Sequence, residues 1–263
     1  MTCLPTALGG ASYYGTEVEI FASLEAEYDR LDSIFAGLSE QDWNRPSELA
    51  GWTNVDVLLH LAQTEESVVS TLTGGPAAAP GGQPLIHGVS VDEAMDRWVT
   101  AERTGPNTVY PRWQAAREAS VRALREADPD RASAWASAPL RPAALATTRL
   151  AEHWAHALDI TEPLSIPYPD TARLRHIAWL GHRTLPYAFR LAGKEPAPIR
   201  AELTGPDGEI WQFGPSDADS VIAGSAGAFC RVGARRLAPE NSGLTMTGPH
   251  AESALRLLRN YAA

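Results

Sequence analysis

The sequence predicts a mainly α-helical protein in which a helical bundle over residues 1–194 precedes a smaller α+β domain over residues 195–263. Three observations support this fold class. Apolar residues recur every three or four positions through the first part, as they do on one face of an α-helix. Beyond residue 198, apolar and polar residues alternate, which is typical of half-buried strands. Residues 194–198 contain two prolines between the two patterns, so we place the domain boundary there.

The helices of the first part are predicted from this periodicity and from their start and stop signals. The first runs from about residue 16 to 38, and a polar connection follows it. The second spans about residues 54–73, because Thr53 and Asp56 resemble a capping box and two glycines follow. A loop rich in glycine and proline is expected over residues 74–89. Further helices are predicted at about residues 90–103, 109–127, 143–160 and 170–192.

The second part is predicted to contain a β-hairpin. Residues 199–203 and 209–213 alternate in polarity and flank a Gly-Pro-Asp-Gly sequence, which favours a turn between two antiparallel strands. Shorter elements are expected after it: a strand at 220–223, a helix at 225–237, a strand at 244–247 and a helix from 249.

Composition excludes several classes of function. The formal net charge is −10, whereas a nucleic-acid-binding protein needs a basic face and an anionic membrane attracts basic segments. No window approaches the ~18 apolar residues of a membrane span, and the N-terminus lacks the pattern of a signal peptide. We therefore expect a cytoplasmic protein. Its expected partner is a small-molecule substrate, and it is expected to be a monomer or a homodimer. Cys3 and Cys230 are too few for a disulfide framework or a cysteine-rich zinc site.

A candidate metal site lies in the helix predicted at residues 143–160. Glu152 and His156 are four residues apart, so both side chains project from one helix face and are able to share a cation. A facing helix must supply a third ligand, and His60 is the natural candidate because it lies mid-helix among apolar residues. Spacing alone leaves other histidines open, namely His153, His176, His182 and His87.

These motifs resemble those of the DinB/YfiT-like superfamily, and more narrowly those of the mycothiol-dependent maleylpyruvate isomerase group. The resemblance rests on Gly51-Trp52-Thr53, Asp56 and His60-Leu61-Ala62, and on a second motif of Arg149, Glu152, His156 and Asp159-Ile160. It implies a DinB-like four-helix bundle and a metal triad of His60, Glu152 and His156, without His153. Two histidines and a carboxylate leave a coordination position open, as in catalytic sites.

The resemblance also implies chemistry. A divalent metal favours a thiolate over a thiol, so we expect mycothiol or another low-molecular-weight thiol to be activated toward a small electrophilic or anionic substrate, with isomerase or S-transferase outcomes. Zinc suits the ligands best, and nickel, iron and manganese are alternatives. Two competing interpretations are a thiol-independent hydrolase, lyase or cyclase that keeps the metal, and a non-catalytic metal- or ligand-binding protein.

Several neighbouring residues are candidates for further roles. Arg149 is the candidate catalytic residue, since it would bind a substrate carboxylate or enolate; the alternative is a salt bridge to Glu152 or to another carboxylate. Trp52 is expected either to pack at the helix start or to line the pocket. Gln63 and Thr64 are candidate substrate contacts or supports for the ligands. Asp159 would accept a proton from a ligand histidine, but its place near the helix end favours solvent exposure.

Overall fold

The computed structural model describes residues 17–74, 90–135 and 138–260. Seven helices occupy its first part: α1 (Glu17–Phe35), α2 (Glu40–Trp43), α3 (Asn54–Thr73), α4 (Val91–Glu102), α5 (Pro106–Glu126), α6 (Pro142–Thr161) and α7 (Leu174–Leu191). Outside the described residues lie Cys3, His87 and residues 75–89 of the loop predicted at 74–89.

Helices α1, α3, α5 and α6 pack on one another as a bundle, which confirms the predicted four-helix fold. The centre of the bundle is aromatic: the side chains of Tyr28, Phe35 and Trp113 are almost completely buried, and the rings meet edge to face. Such contacts fix ring orientations as well as excluding water. The bundle thereby holds α3 and α6, the two helices of the candidate site, in one arrangement.

The start of α3 is fixed by its capping residues. The backbone N–H and the hydroxyl of Thr53 both donate to the carboxylate of Asp56 at 2.8 Å. Arg103, which follows α4, donates to the other oxygen of that carboxylate at 2.8 Å. The helix ends at Gly74, whose φ of 71° suits glycine. These contacts set where α3 begins, and therefore which of its residues face α6.

The second part forms a four-stranded sheet with two helices. Its strands are β1 (Ile199–Thr204), β2 (Ile210–Phe213), β3 (Ser220–Ser225) and β4 (Thr245–Thr247), and its helices are α8 (Ala226–Gly233) and α9 (Ala251–Leu257). The spatial order is β2-β1-β3-β4. Strand β1 pairs antiparallel with β2, as the predicted hairpin requires, and parallel with β3. The predicted smaller α+β unit is confirmed.

Helix α7 packs against α6 of the bundle and against α8, α9 and β2 of the second part. Residues 194–198 connect α7 to β1, where we predicted the domain boundary, and the division into two domains stays a prediction. Among the described residues, no helix combines the length and the apolar character needed to cross a bilayer.

Some predicted helix bounds were wrong. The polar connection after α1 contains α2, whose N-cap Ser39 and Asp42 exchange hydrogen bonds. Helix α5 starts at Pro106 rather than near residue 109, because proline is well suited to the first turn of a helix, where its missing N–H has no intrahelical partner. Helix α7 starts at Leu174 rather than near residue 170, after a turn closed by Thr171. Helix α8 ends at Gly233 and is followed by Arg235 with a φ of 62°.

Candidate metal centre

The side chains of His60, Glu152 and His156 converge between α3 and α6. The Oε1 atom of Glu152 lies 3.0 Å from Nε2 of His60 and 3.3 Å from Nε2 of His156. One ligand atom from each residue lies within 4.8 Å of the others. Glu152 and His156 come from successive turns of α6, and His60 comes from the facing helix.

This arrangement fits a divalent metal. Tetrahedral ligand atoms about 2.1 Å from a zinc ion stand about 3.4 Å apart, which is close to the two distances from Glu152 to the histidines. Two imidazoles and one carboxylate are also a donor set that zinc and several other divalent ions accept. Among the described residues, this is the group of histidine and acidic side chains with ligand atoms close enough to hold an ion.

Burial differs among the three side chains and shows where the site opens. The side chains of His60 and His156 are 6% and 12% exposed, whereas that of Glu152 is 27% exposed. Hydrogen bonds from both histidines hold the pKa of Glu152 well below its usual range, although burial acts in the opposite direction. Glu152 is therefore an anionic carboxylate on the solvent side of the three side chains.

His156 is held by two carboxylates. Its Nδ1 donates to Oδ2 of Asp159 at 2.8 Å, which leaves Nε2 directed at Glu152. Burial alone would lower the pKa of His156, but the hydrogen bonds to Asp159 and Glu152 outweigh it and raise the pKa to about 9. Such a position suits a cation, and a bound metal would take the place of the imidazole proton.

His60 has a different environment. Burial lowers its pKa, and the hydrogen bond to Glu152 only partly offsets this effect. Its ring packs 5.4 Å from the Trp52 ring and 4.9 Å from the His156 ring, measured between centroids. Among the described residues, its buried Nδ1 has no hydrogen-bond partner. The position of His60 is thus set by packing and by one hydrogen bond, to Glu152, whereas His156 is held by two carboxylates.

His153, the residue after Glu152 on α6, points into the core. It is completely buried, and the indole N–H of Trp113 donates to its Nε2 at 3.2 Å. Its Nδ1 therefore carries the proton and donates to the Arg149 carbonyl at 3.1 Å. Burial lowers the pKa of His153 to about 3. Both ring nitrogens are engaged by core partners, so this histidine belongs to the packing of the bundle.

His176 and His182, which spacing alone had left as candidates, contact other parts of the structure. His176 on α7 lies 3.3 Å from the hydroxyl of Ser23 on α1, measured from Nε2. His182, also on α7, is within hydrogen-bond distance of the Ile199 carbonyl, at 2.8 Å. Neither belongs to the cluster of possible ligand atoms.

Arg149 is buried, and its partners are now defined. Its Nε donates to Glu65 at 2.7 Å and its Nη2 donates to the hydroxyl of Thr64 at 2.7 Å. The Thr64 hydroxyl in turn donates to the His60 carbonyl at 2.9 Å. These contacts are of the kind expected for an arginine that neutralises a neighbouring carboxylate. A catalytic role for Arg149 stays a prediction.

Trp52 and Gln63 lie on the α3 side of the site. The Trp52 ring packs against His60, and its indole N–H donates to Asp96 on α4 at 2.8 Å. Gln63 is fully buried and its amide donates to the Trp98 carbonyl at 3.3 Å. Trp52 therefore lies beside the candidate ligand His60. Roles in substrate binding for Trp52, Gln63 and Thr64 stay predictions.

Two features were missed or misplaced by sequence reasoning. Asp159 was expected near solvent, but its side chain is 1% exposed because Arg236 covers and pairs with it. The pairing of Asp159 with His156 was detectable from their three-residue spacing on one helix. Arg236 carries no such signal, since it lies 77 residues further along the chain.

Comparisons with known proteins agree with this architecture. A family model described as the mycothiol maleylpyruvate isomerase N-terminal domain matches residues 24–161. Uncharacterized proteins from Mycobacterium tuberculosis strains CDC 1551 / Oshkosh and ATCC 25618 / H37Rv are each 34% identical over 252 residues, which is 92% of this chain and 94% of theirs.

Two solved structures share the fold. The crystal structure of the mycothiol-dependent maleylpyruvate isomerase matches with a TM-score of 0.60 and 17% identity, covering 89% of this chain and 96% of the isomerase. A histidine-to-alanine mutant of that isomerase matches with a TM-score of 0.57, 16% identity and the same coverage. At these identities the structural likeness establishes the fold.

Proposed function

Because the chain belongs to the family of the mycothiol maleylpyruvate isomerase N-terminal domain, we propose that it is a divalent-metal-dependent enzyme that activates a low-molecular-weight thiol. The thiol is mycothiol or a close analogue, and the reaction is an isomerisation or an S-transfer on a small electrophilic or anionic substrate. The observation that carries this proposal is the convergence of His60, Glu152 and His156.

Each residue has a defined part in the proposed site. His60 and His156 supply neutral nitrogen ligands, and Glu152 supplies an anionic oxygen at the solvent side. A metal bound there favours the thiolate over the thiol at neutral pH. Three protein ligands would leave room at a metal for a thiol or a substrate oxygen. Of the three side chains, Glu152 is the most exposed, so the site is reached from its side. A thiol and a substrate would approach from that side.

Cys230 does not supply the nucleophile. Cys230 is fully buried, and its Sγ lies 3.7 Å from the Leu174 carbonyl, to which it donates. Burial raises the pKa of its thiol, so the thiolate is strongly disfavoured at neutral pH. No second cysteine lies in the part of the chain that the structure describes. This supports the use of a thiol from solution.

The proposed reaction needs no other co-reactant. The thiolate adds to a conjugated cis double bond, and a single bond replaces the double bond between the two carbons. Rotation about that single bond followed by departure of the same sulfur gives the trans product and returns the thiolate. If the sulfur stays attached and the carbanion takes up a proton, the product is a thioether and the enzyme is an S-transferase.

The test combines metal, thiol and substrate. Purified protein loaded with one divalent metal is mixed with mycothiol and maleylpyruvate, and conversion to the trans isomer is followed by NMR. A second assay replaces maleylpyruvate with a simple electrophile and follows thioether formation. We expect one of these reactions to require both metal and thiol, and to be lost in His60→Ala but retained in His182→Ala, a distant histidine variant.

Other outcomes would identify the competing functions. Turnover that requires the metal but proceeds equally without a thiol would contradict the proposal in favour of a hydrolase, lyase or cyclase. Tight ligand binding without consumption of any electrophile would contradict it in favour of a binding protein.

A further inference from the structure

The C-terminal part of the chain reaches the candidate metal centre through Arg236 and Asp159. Arg236 lies just beyond α8, and Asp159 lies in the last turn of α6. The guanidinium donates from Nε to Oδ1 at 2.8 Å and from Nη2 to Oδ2 at 2.5 Å. This is the two-point geometry in which arginine fixes the plane of a carboxylate. The Asp159 side chain is 1% exposed.

The same carboxylate holds a candidate ligand. Oδ2 of Asp159 accepts the Nδ1 proton of His156 at 2.8 Å, while Nε2 of His156 faces Glu152 at 3.3 Å. The chain of contacts therefore runs from Arg236 through Asp159 to the imidazole. A carboxylate behind a ligating histidine fixes its tautomer and ring orientation and increases its basicity.

Arg236 is itself anchored within the second part of the protein. Its Nη1 donates to the Ala234 carbonyl at 2.6 Å, so the side chain folds back over the turn that ends α8. The preceding residue, Arg235, has a φ of 62° and lies in the turn that follows α8. The guanidinium is thus held from one side by α8 and from the other by Asp159.

We propose that Asp159 and Arg236 are positioning residues of the metal centre, and that the C-terminal part contributes to metal binding through them. This inference rests on the metal site of the proposed function. Arg236 acts only through Asp159, which holds His156 with Nε2 directed at the metal position. His60 has no equivalent partner among the described residues, so His156 is the ligand whose orientation depends on this relay.

The chain offers a matched control. Arg231, also from α8, makes a two-point ion pair with Asp170 at 2.9 Å for both contacts. Asp170 lies in the connection between α6 and α7, and this pair joins the same two parts of the protein. Neither residue contacts a candidate ligand. Loss of the Arg231 pair therefore reports the effect of a broken ion pair without an effect on His156.

The experiment is a double-mutant cycle on metal affinity. Full-length protein is stripped with a chelator, and Co²⁺ or Zn²⁺ affinity is measured by competition with a chromophoric chelator. The variants are Arg236→Gln, Asp159→Ala, their combination and Arg231→Gln. Thermal melting checks that each is folded, and Arg236→Lys and Asp159→Asn replace any variant that is not. The visible spectrum of bound Co²⁺ reports the geometry of its ligands.

We expect Asp159→Ala to weaken metal binding by about 10–100-fold and Arg236→Gln by about tenfold. The double variant should bind no more weakly than Asp159→Ala, because the proposed effect of Arg236 passes through Asp159. Both single variants should alter the Co²⁺ spectrum, and Arg231→Gln should leave affinity and spectrum unchanged within twofold.

The inference would be overturned by unchanged affinity and spectrum in Arg236→Gln, or by independent, additive losses in the double variant. If the unsubstituted chain binds no divalent metal, this inference and the proposed function both fail. If the cycle gives the expected result but no thiol-dependent turnover is found, the positioning role stands and the proposed function alone fails.

Discussion

Two histidines of α6, three residues apart, are both buried yet have opposite properties. His153 has a pKa of about 3 and His156 has a pKa of about 9. Burial acts in the same direction on both, so the partners make the difference. His153 contacts an indole N–H and a backbone carbonyl, which satisfy a neutral ring. The Glu65 carboxylate lies 3.6 Å from its Nδ1, but Arg149 pairs with that carboxylate and offsets its charge. His156 lies between two carboxylates, which stabilise positive charge.

The two histidines also differ in whether a ring nitrogen is available to a metal. A metal ligand needs a free nitrogen lone pair and an environment that favours a cation. The Nε2 lone pair of His153 already accepts a hydrogen bond from the indole N–H of Trp113. The Nδ1–H of His156 donates to Asp159, which leaves Nε2 for the candidate site.

The largest expected effect comes from removing His156. His156→Ala deletes one of three proposed ligands, so metal affinity should fall by more than the roughly 10–100-fold typical of a supporting residue. Metal content of purified protein, measured by elemental analysis, should drop from one ion per chain to a trace. His153→Leu is the matched variant on the same helix, and this protein should keep one metal ion per chain. A reversed pattern would contradict the assignment.

The next effect concerns the buried ion pair of Glu65 and Arg149. Glu65 is fully buried and pairs with Arg149, so Glu65→Gln leaves a buried guanidinium without its counter-charge. We expect the free energy of unfolding to fall by about 3–5 kcal/mol, measured by urea denaturation. The neighbouring Glu66 pairs with Arg112 where both side chains are partly exposed. Glu66→Gln should therefore cost under about 1 kcal/mol. Equal losses would contradict this account.

A smaller effect on the free energy of unfolding is expected from replacing His153. His153→Leu leaves the buried indole N–H of Trp113 without an acceptor, which should lower the free energy of unfolding by about 1–3 kcal/mol. In a Trp113→Phe background the same substitution should cost less, because no donor remains unpaired. Urea denaturation of the four proteins measures the coupling. Fully additive losses would show that this hydrogen bond does not stabilise the core.

The smallest effect is a difference in titration, measured by NMR on metal-free protein. His153, with its lowered pKa, contributes stability above about pH 6.5, and this contribution is lost as pH falls toward 3. His156, with its raised pKa, contributes stability below about pH 6.5, and this contribution is lost as pH rises through 9. The imidazole signals should therefore titrate far apart. Two midpoints near 6.5 would contradict the comparison.

The sequence alone supported much of the fold, because long amphipathic helices and an alternating hairpin carry strong periodicity. It missed α2, since four residues are too few to show a period. The pairing of Glu152 with His156 followed from helical spacing. Spacing did not separate His156 from His153, because their roles depend on Trp113 and Arg236, which lie 40 residues before and 80 residues after them in the chain.

The most direct test of the metal centre is a crystal structure of zinc-loaded protein with anomalous data collected at the zinc edge. The account predicts one strong anomalous peak per chain, about 2.1 Å from Nε2 of His60, Oε1 of Glu152 and Nε2 of His156. His153 should keep its hydrogen bonds to Trp113 and to the Arg149 carbonyl. A peak at another group of residues, or no peak at full zinc loading, would contradict the account.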